Sequence, residues 1–203
     1  MPVPKGSTLD PERTRAAIIE SAMPILYERG LDGVGVAELC AAVGVSKETL
    51  YRHFGSKEGL IEAVLEARSD RVTRWLRTSA EAAGEDPADQ LAAVFDALAD
   101  WHAEPDFRGC ALLNAAAQHH GAPELDLAGR HLERRLALLT EIATRAGATD
   151  PGALARQLLI LVTGSTVVAD QHPATPDAAR LARQAALTLL QAAGSPPSSR
   201  EHR

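Results

Sequence analysis

The segment from Val36 to Phe54 constrains this chain more than any other. It predicts two short helices, Val36–Val43 and Ser46–Phe54, joined by a tight turn at Gly44. Ser46 can cap the second helix, because its hydroxyl can accept the free backbone N–H groups of the first turn. Lysine, threonine, tyrosine, arginine and histidine follow in that helix. This layout is typical of a helix-turn-helix, whose second helix lies in the major groove of DNA.

The whole chain is predicted to be all-α. Alanine and leucine dominate, aromatic residues are only 3% of the 203 residues, and no alternating strand pattern competes. That composition favours helix over sheet. Aspartate or threonine followed by proline marks four helix starts, at Asp10-Pro11, Asp86-Pro87, Asp150-Pro151 and Thr175-Pro176. The capping side chain accepts free N–H groups, and proline fits the first helical position.

About nine helices are predicted, in two domains and a tail. A three-helix DNA-binding domain spans residues 1–55, and a helical ligand-binding and dimerisation domain spans residues 56–194. Residues 195–203 are polar, carry two prolines and are expected to be disordered. Besides the two short helices, the predicted helices are Pro11–Arg29, Ser56–Ala83, Pro87–His102, Pro105–His119, Pro123–Ala146, Pro151–Gln171 and Pro176–Ala193.

The charge distribution, the N-terminus and the cysteines indicate where the protein is located and how its thiols are used. The net charge is −6, and residues 1–57 are neutral with seven basic and seven acidic residues, so all the excess acid lies after the helix-turn-helix. The N-terminus has no secretory apolar core, and no apolar run approaches the length of about 18 residues that a membrane helix needs. We therefore expect a cytoplasmic protein with no membrane contact. Cys40 and Cys110 are expected to be buried, without a disulfide or a metal.

The residues from Arg13 to Leu65 resemble the N-terminal domain of TetR-type transcriptional regulators. The segments that carry the resemblance are Ala22–Gly30, Val36–Leu39, Ala42–Phe54 and Ser56–Leu60. A second stretch, Phe107–Asn114, resembles one found in a broad subgroup of the C-terminal domains of this family. The resemblance implies a homodimer with a variable helical ligand-binding domain, and a small-molecule inducer that releases the DNA.

The second helix of the motif and the start of the next one supply the predicted DNA contacts. These residues are Ser46, Lys47, Glu48, Thr49, Tyr51, Arg52, His53 and Lys57. Lysine can donate to guanine and glutamate can accept from cytosine, so the first turn can read base edges. The resemblance implies that Thr49, Tyr51, His53 and Lys57 hold the phosphate backbone.

The chain departs from the family at Val34 and Gly35. The family often has threonine or serine there, which caps the second helix of the domain and touches a phosphate. Glycine is an acceptable cap, so we expect the helix to form without that hydroxyl. The loss of one phosphate contact should weaken binding about equally for all DNA sequences.

The C-terminal helices are expected to enclose the inducer in a pocket of apolar side chains with a few polar groups. The predicted lining residues are Trp75, Trp101, His102, Phe107, Cys110, Asn114, Gln118 and His131. No metal site is expected, because the neighbours His119 and His120 point about 100° apart on a helix. Cys110 could instead act as a redox or electrophile sensor, although only Arg108 lies close in sequence to activate it.

The helix Pro151–Gln171 is apolar on nearly every side and must be covered all round. A second copy of the chain is the natural cover, and the alternative is a central helix in a monomeric core. The predicted dimer interface combines this helix with the last one, through Leu158, Leu161, Val162, Leu181, Ala185 and Leu189.

These features favour a dimeric repressor that binds a palindromic double-stranded DNA operator and is released by an inducer. An activator remains open, since nothing in the chain sets the sign of regulation, and so does an accessory DNA-binding protein without a ligand. An enzyme is disfavoured, because no nucleophile–base set, phosphate-binding loop or metal spacing is present. No cofactor is expected.

Overall fold

We describe a computed structural model of the chain, which covers residues 10–118, 123–172, 175 and 177–194. Over these residues the fold is all-α, as predicted. The helices are α1 (Pro11–Arg29), α2 (Val36–Val43), α3 (Lys47–Phe54), α4 (Lys57–Ala82), α5 (Pro87–His102), α6 (Ala111–Gln118), α7 (Pro123–Arg145), α8 (Pro151–Gln171) and α9 (Ala178–Ala193).

Three of the four predicted caps are confirmed. The carboxylates of Asp10, Asp86 and Asp150 accept hydrogen bonds from backbone N–H groups in the first turns of α1, α5 and α8. The fourth start falls at Pro176, outside the described residues, and α9 begins at Ala178, where no side chain caps it. The predicted tail 195–203 also lies outside the described residues.

The helix predicted from Pro105 starts later than expected, at Ala111. The residues before it make a turn in which the Phe107 N–H donates to the Glu104 carbonyl, and Gly109 adopts a positive φ of 71°. Proline and glycine in this stretch favour the turn over a helix.

The N-terminal head is a three-helix bundle closed by the start of α4. Leu50 of α3 and Leu39 of α2 are fully buried against Ile18 of α1, and Phe54 packs against the same cluster. One side of α3 therefore faces the protein interior. The cluster also includes Leu112 and further residues of α6 and the start of α7, so head and C-terminal helices share one core.

A second core lies farther along α4 and is built with α5, α7, α8 and α9. Its fully buried members include Leu91, Phe95, Ile142 and Leu158. Because α4 contributes to both cores, it connects the head rigidly to the C-terminal helices. The division of the chain at residues 55 and 56 remains a prediction.

Two of the predicted interface residues are not available to a partner. Leu158 is fully buried and Val162 is 1% exposed inside the protomer, because both face the second core. The exposed side of α8 instead presents Ile160 and Val167, with exposures of 69% and 49%. The helix period explains the correction, since a uniformly apolar sequence does not show which side faces inward.

Candidate functional site

The helix α3 begins in the geometry that the sequence predicted. The Ser46 hydroxyl accepts a hydrogen bond from the Thr49 N–H at 3.1 Å and contacts the Thr49 hydroxyl at 3.0 Å. Gly44 ends α2 in the left-handed conformation, with a φ of 79°, and its N–H donates to the Cys40 carbonyl at 2.9 Å. This turn fixes α3 relative to α2 without a side chain at Gly44.

The outer side of α3 forms a polar surface, which we call the α3 ridge and define as Lys47, Glu48, Tyr51 and Arg52. All four side chains are exposed, and Tyr51 is 44% exposed despite its aromatic ring. In the described part of the chain, none of them forms a hydrogen bond or ion pair. The ridge therefore offers donors, an acceptor and two positive charges to an external partner.

The remaining predicted contact residues are more constrained. Thr49 and His53 are half-buried, and the His53 ring packs near Phe54 with centroids 6.2 Å apart. Lys57 is half-buried, and its ammonium donates to the Leu31 carbonyl at 2.7 Å. One of its three protons is thus already used inside the protein, and its contact with a phosphate remains a prediction.

Sequence reasoning missed one cation beside the recognition helix. The Arg15 guanidinium of α1 lies over the Phe54 ring, 5.1 Å from its centroid, and the side chain is exposed. The contact could not be found from sequence, because it joins two helices whose packing only the fold defines. Arg15 widens the positive surface at the end of α3.

Tyr27 ties the head to the C-terminal helices. Its hydroxyl donates to the Gly109 carbonyl at 3.0 Å and accepts from the Arg108 N–H at 2.7 Å. The Arg68 guanidinium lies over its ring, 3.9 Å from the centroid. Burial raises the pKa of Tyr27 above its usual value, although the bond from Arg108 opposes this shift. Tyr27 is therefore a neutral contact between α1 and the loop before α6.

The predicted ligand residues do not line one cavity. A cavity of about 300 Å³ lies between α1, α4 and α6 and includes Asn114 and Gln118. A second cavity of about 400 Å³ lies between α4 and α5 and includes Trp75 and Trp101. The eight residues come from α4, α5, α6, α7 and the loop before α6, so only the tertiary structure decides which of them share a cavity, and the ligand site stays a prediction.

The other four predicted residues, His102, Phe107, Cys110 and His131, are buried or half-buried and make two contacts. His131 is fully buried, its Nδ1 lies 2.9 Å from the Ser69 hydroxyl, and its Nε2 lies 3.7 Å from the Cys110 sulfur. The His102 and Phe107 rings pack with centroids 4.9 Å apart. These contacts join α4, α5 and α7 with the loop before α6.

Burial keeps both histidines neutral. Desolvation, helped by the charge of Arg135, lowers the pKa of His102 to about 4 and that of His131 to about 3. Arg135 itself is 2% exposed, and sequence reasoning missed it. Its only sequence signal is a polar residue on the inner side of α7, between the buried residues Leu127 and Leu138.

No group of three or more histidine, cysteine, aspartate or glutamate residues in the described ranges could hold a metal ion. His119 and His120 lie outside those ranges. Cys40 and Cys110 are buried free thiols, as predicted. Among the described helices, α8 is long and apolar enough to cross a membrane, a test that core helices of soluble proteins also pass.

The sequence of the N-terminal head matches a known protein family. Residues 18–64 match the family described as bacterial regulatory proteins, tetR family. The chain is 31% identical over 101 residues to the HTH-type transcriptional repressor ComR of Escherichia coli K12, covering 49% of this chain and 48% of the relative. It is 30% identical over 109 residues to the activator FasR of Mycolicibacterium smegmatis, covering 54% and 49%. The chain thus spans about half the length of these curated relatives.

Structural comparison extends the similarity to nearly the whole chain. A TetR-type regulator from Streptomyces avermitilis is 31% identical with a TM-score of 0.73, and the alignment covers 89% of this chain and 97% of the other. A TetR-family regulator from Streptomyces coelicolor is 28% identical with a TM-score of 0.77, covering 91% and 97%. The similarity to these two regulators therefore extends over both the head and the C-terminal helices.

Proposed function

Because this chain belongs to the TetR family of transcriptional regulators, we propose that it is a cytoplasmic, ligand-responsive repressor that binds a palindromic operator as a homodimer. The observation that carries the proposal is the α3 ridge, with its exposed polar side chains free of partners in the described part of the chain. A helix that buries Leu50 and exposes these groups suits the major groove.

The proposed contacts divide into two kinds. Lys47 and Glu48, in the first turn of α3, read base edges, while Tyr51, Arg52 and His53 hold phosphate oxygens. Arg15 adds a further phosphate contact from α1. Ser46 and Thr49 act mainly through the cap that orients the helix.

The homodimer is proposed to form through the exposed sides of α8 and α9. Ile160, Val167, Val168 and Leu181 are large apolar residues with exposures between 39% and 69%. Leu161, Ala185 and Leu189 of the predicted interface lie among them on the same helices and are not fully buried. Paired protomers would set two α3 helices about 34–36 Å apart along one side of the duplex.

The proposed route of control runs through α4 and Tyr27. α4 starts beside α3, where the Ser56 hydroxyl accepts from the Gly59 N–H at 3.1 Å, and ends in the second core. A ligand that moves the C-terminal helices would therefore reposition the head and change the spacing of the two α3 helices. DNA and ligand would then oppose each other reciprocally.

The test is binding of the purified full chain to the DNA upstream of its own gene, followed by fluorescence anisotropy at several salt concentrations. Phosphate contacts predict an affinity that falls steeply with salt. Arg52→Ala should weaken binding roughly tenfold and lower the salt slope by about one. Arg74→Ala, at an exposed position of α4 outside both the ridge and the proposed interface, removes the same charge and should leave both values unchanged.

An equal effect of the two substitutions would show that only overall charge matters and would overturn the ridge assignment. The relatives include both a repressor and an activator, so the sign of regulation needs its own measurement. A reporter under the upstream promoter should rise when the gene is deleted. A fall would replace the repressor with an activator and leave the DNA site intact.

A further inference from the structure

The C-terminal core contains a buried positive charge with no counterion among the described residues. All three guanidinium nitrogens of Arg135 are buried, and in the described part of the chain none of them has a hydrogen-bond partner. The Cys110 thiol lies near enough to interact with the guanidinium, but without the geometry of a hydrogen bond to it. A thiol is a weak acceptor and leaves five N–H groups largely unsatisfied.

The adjacent residue, Arg134, has the carboxylate partners that a guanidinium usually has in a protein. Arg134 points outward, pairs with Glu66 and lies 3.1 Å from an Asp70 carboxylate oxygen. In the part of the chain that the structure describes, neighbouring helices therefore supply carboxylates to Arg134 and none to Arg135. A buried unpaired charge is strongly unfavourable, so its presence indicates an acceptor that comes from outside the chain.

The two histidines near Arg135 are neutral. Desolvation lowers the pKa of His102 to about 4 and that of His131 to about 3, so neither carries charge at neutral pH. Neither histidine therefore adds a positive charge to that of Arg135, and one monovalent anion would neutralise this guanidinium.

His102, which lies near enough to Arg135 for that charge to lower its pKa, has a second unsatisfied group, an acceptor that a carboxylate does not satisfy. The Thr166 hydroxyl donates to the Val162 carbonyl at 3.0 Å, so it must accept from His102 Nε2, 3.3 Å away. The Nδ1 atom of this neutral ring is then an acceptor, and it is buried without a partner among the described residues. Phe107 and Trp101, whose ring centroids lie 4.9 Å apart, form an apolar wall beside His102.

We propose that the C-terminal core binds a small organic acid as its anion, whose carboxylate accepts paired hydrogen bonds from Arg135. Two parallel N–H···O bonds are the geometry that a guanidinium and a carboxylate share. The apolar part of the acid packs on the wall of Phe107 and Trp101. Control of DNA binding by this anion rests on the proposed function. Binding of the anion at Arg135 does not.

The test compares acids with their amides on the unmodified full chain. Acetate, hexanoate and benzoate are paired with acetamide, hexanamide and benzamide, and Kd is measured by isothermal titration calorimetry at constant ionic strength. At least one acid should bind roughly 30-fold or more tightly than its amide, because the amide lacks the charge that Arg135 requires. Equal affinities within every pair, or no binding of any acid, would overturn the proposal and indicate a hydrated guanidinium.

Variants locate the site. Arg135→Met should abolish acid binding and leave the ligand-free protein at least as stable, because an apolar side chain of similar length replaces a buried charge. Arg130→Met changes an exposed arginine of the same helix and should keep the affinity for the acid. Retained binding by Arg135→Met would place the anion elsewhere and refute the assignment.

Operator binding separates this inference from the proposed function. If the acid binds through Arg135 but the DNA affinity does not change, the anion site stands and this ligand is not the inducer. If a neutral amide releases the DNA as well as its acid does, ligand control stands and the requirement for an anion fails.

Discussion

The Tyr27 hydroxyl donates to the Gly109 carbonyl across 82 positions of sequence, at a distance of 3.0 Å. This bond joins the last turns of α1 to the loop before α6, and the Arg108 N–H closes a second bond onto the same oxygen at 2.7 Å. A single side chain thus connects the head to the helices that carry the proposed ligand site. Its hydroxyl is satisfied by the backbone of the loop before α6, as a half-buried tyrosine requires.

Replacing Tyr27 with phenylalanine should weaken this connection while the ring keeps its packing. The loss of two hydrogen bonds, with the Arg108 N–H and the Gly109 carbonyl left without their partner, should lower the free energy of unfolding by about 1–3 kcal/mol. Urea unfolding at fixed protein concentration measures the change. The matched control is Tyr51→Phe, which should leave stability unchanged and reduce affinity for DNA instead. The opposite pattern would contradict both assignments.

Gly44 is a glycine of the head at which conformation alone should decide the cost of a side chain. A Cβ at Gly44 would meet no atom within 4 Å, yet its φ of 79° is unfavourable for other residues. We expect Gly44→Ala to destabilise by about 1–2 kcal/mol and to weaken DNA binding by tilting α3.

Gly129 provides the control for that substitution. It lies within α7, and a Cβ there also meets no atom within 4 Å. Gly129→Ala should therefore stabilise by up to about 1 kcal/mol, because alanine loses less backbone entropy in a helix. Thermal unfolding of the two variants checks the opposite signs, and a stable Gly44→Ala protein would refute the turn geometry.

Stability should fall as the pH drops from about 6.5 to 4.5. His102 and His131 have folded-state pKa values of about 4 and about 3, below the ordinary value of 6.5. In this window the unfolded chain takes up protons that the folded protein excludes, so the free energy of unfolding decreases with falling pH. We expect His131 alone to account for about 2 kcal/mol of that loss.

The variant His131→Gln should flatten this pH dependence, whatever its effect on stability at neutral pH. His172, which is exposed, serves as the comparison, and His172→Gln should retain the wild-type slope. Guanidinium unfolding at half-unit pH intervals gives both curves. An unchanged slope in His131→Gln would mean that this imidazole is not kept neutral by burial.

A charged residue on the exposed apolar surface of α9 should dissociate the proposed dimer into monomers. Leu181 is 58% exposed in the protomer, so Leu181→Glu should hardly change the stability of an isolated chain. In an apolar interface the same carboxylate would be buried, which is strongly unfavourable. Sedimentation velocity should shift from dimer to monomer, and operator affinity should fall with it. Ala17→Glu, at an exposed position of α1, should remain dimeric, and a dimeric Leu181→Glu protein would move the interface away from this surface.

The sequence alone determined the all-α class, the aspartate caps and the orientation of α3, because these depend on contacts within one or two turns of chain. Ser46, Gly44 and Leu50 carry local signals that no distant contact reverses. The fold alone decided that Leu158 and Val162 face inward, that Lys57 reaches Leu31, and that Tyr27 meets Gly109. It also decided that Arg135 is buried with no hydrogen-bond partner among the described residues, since burial and charge pairing arise between helices that are far apart in the chain.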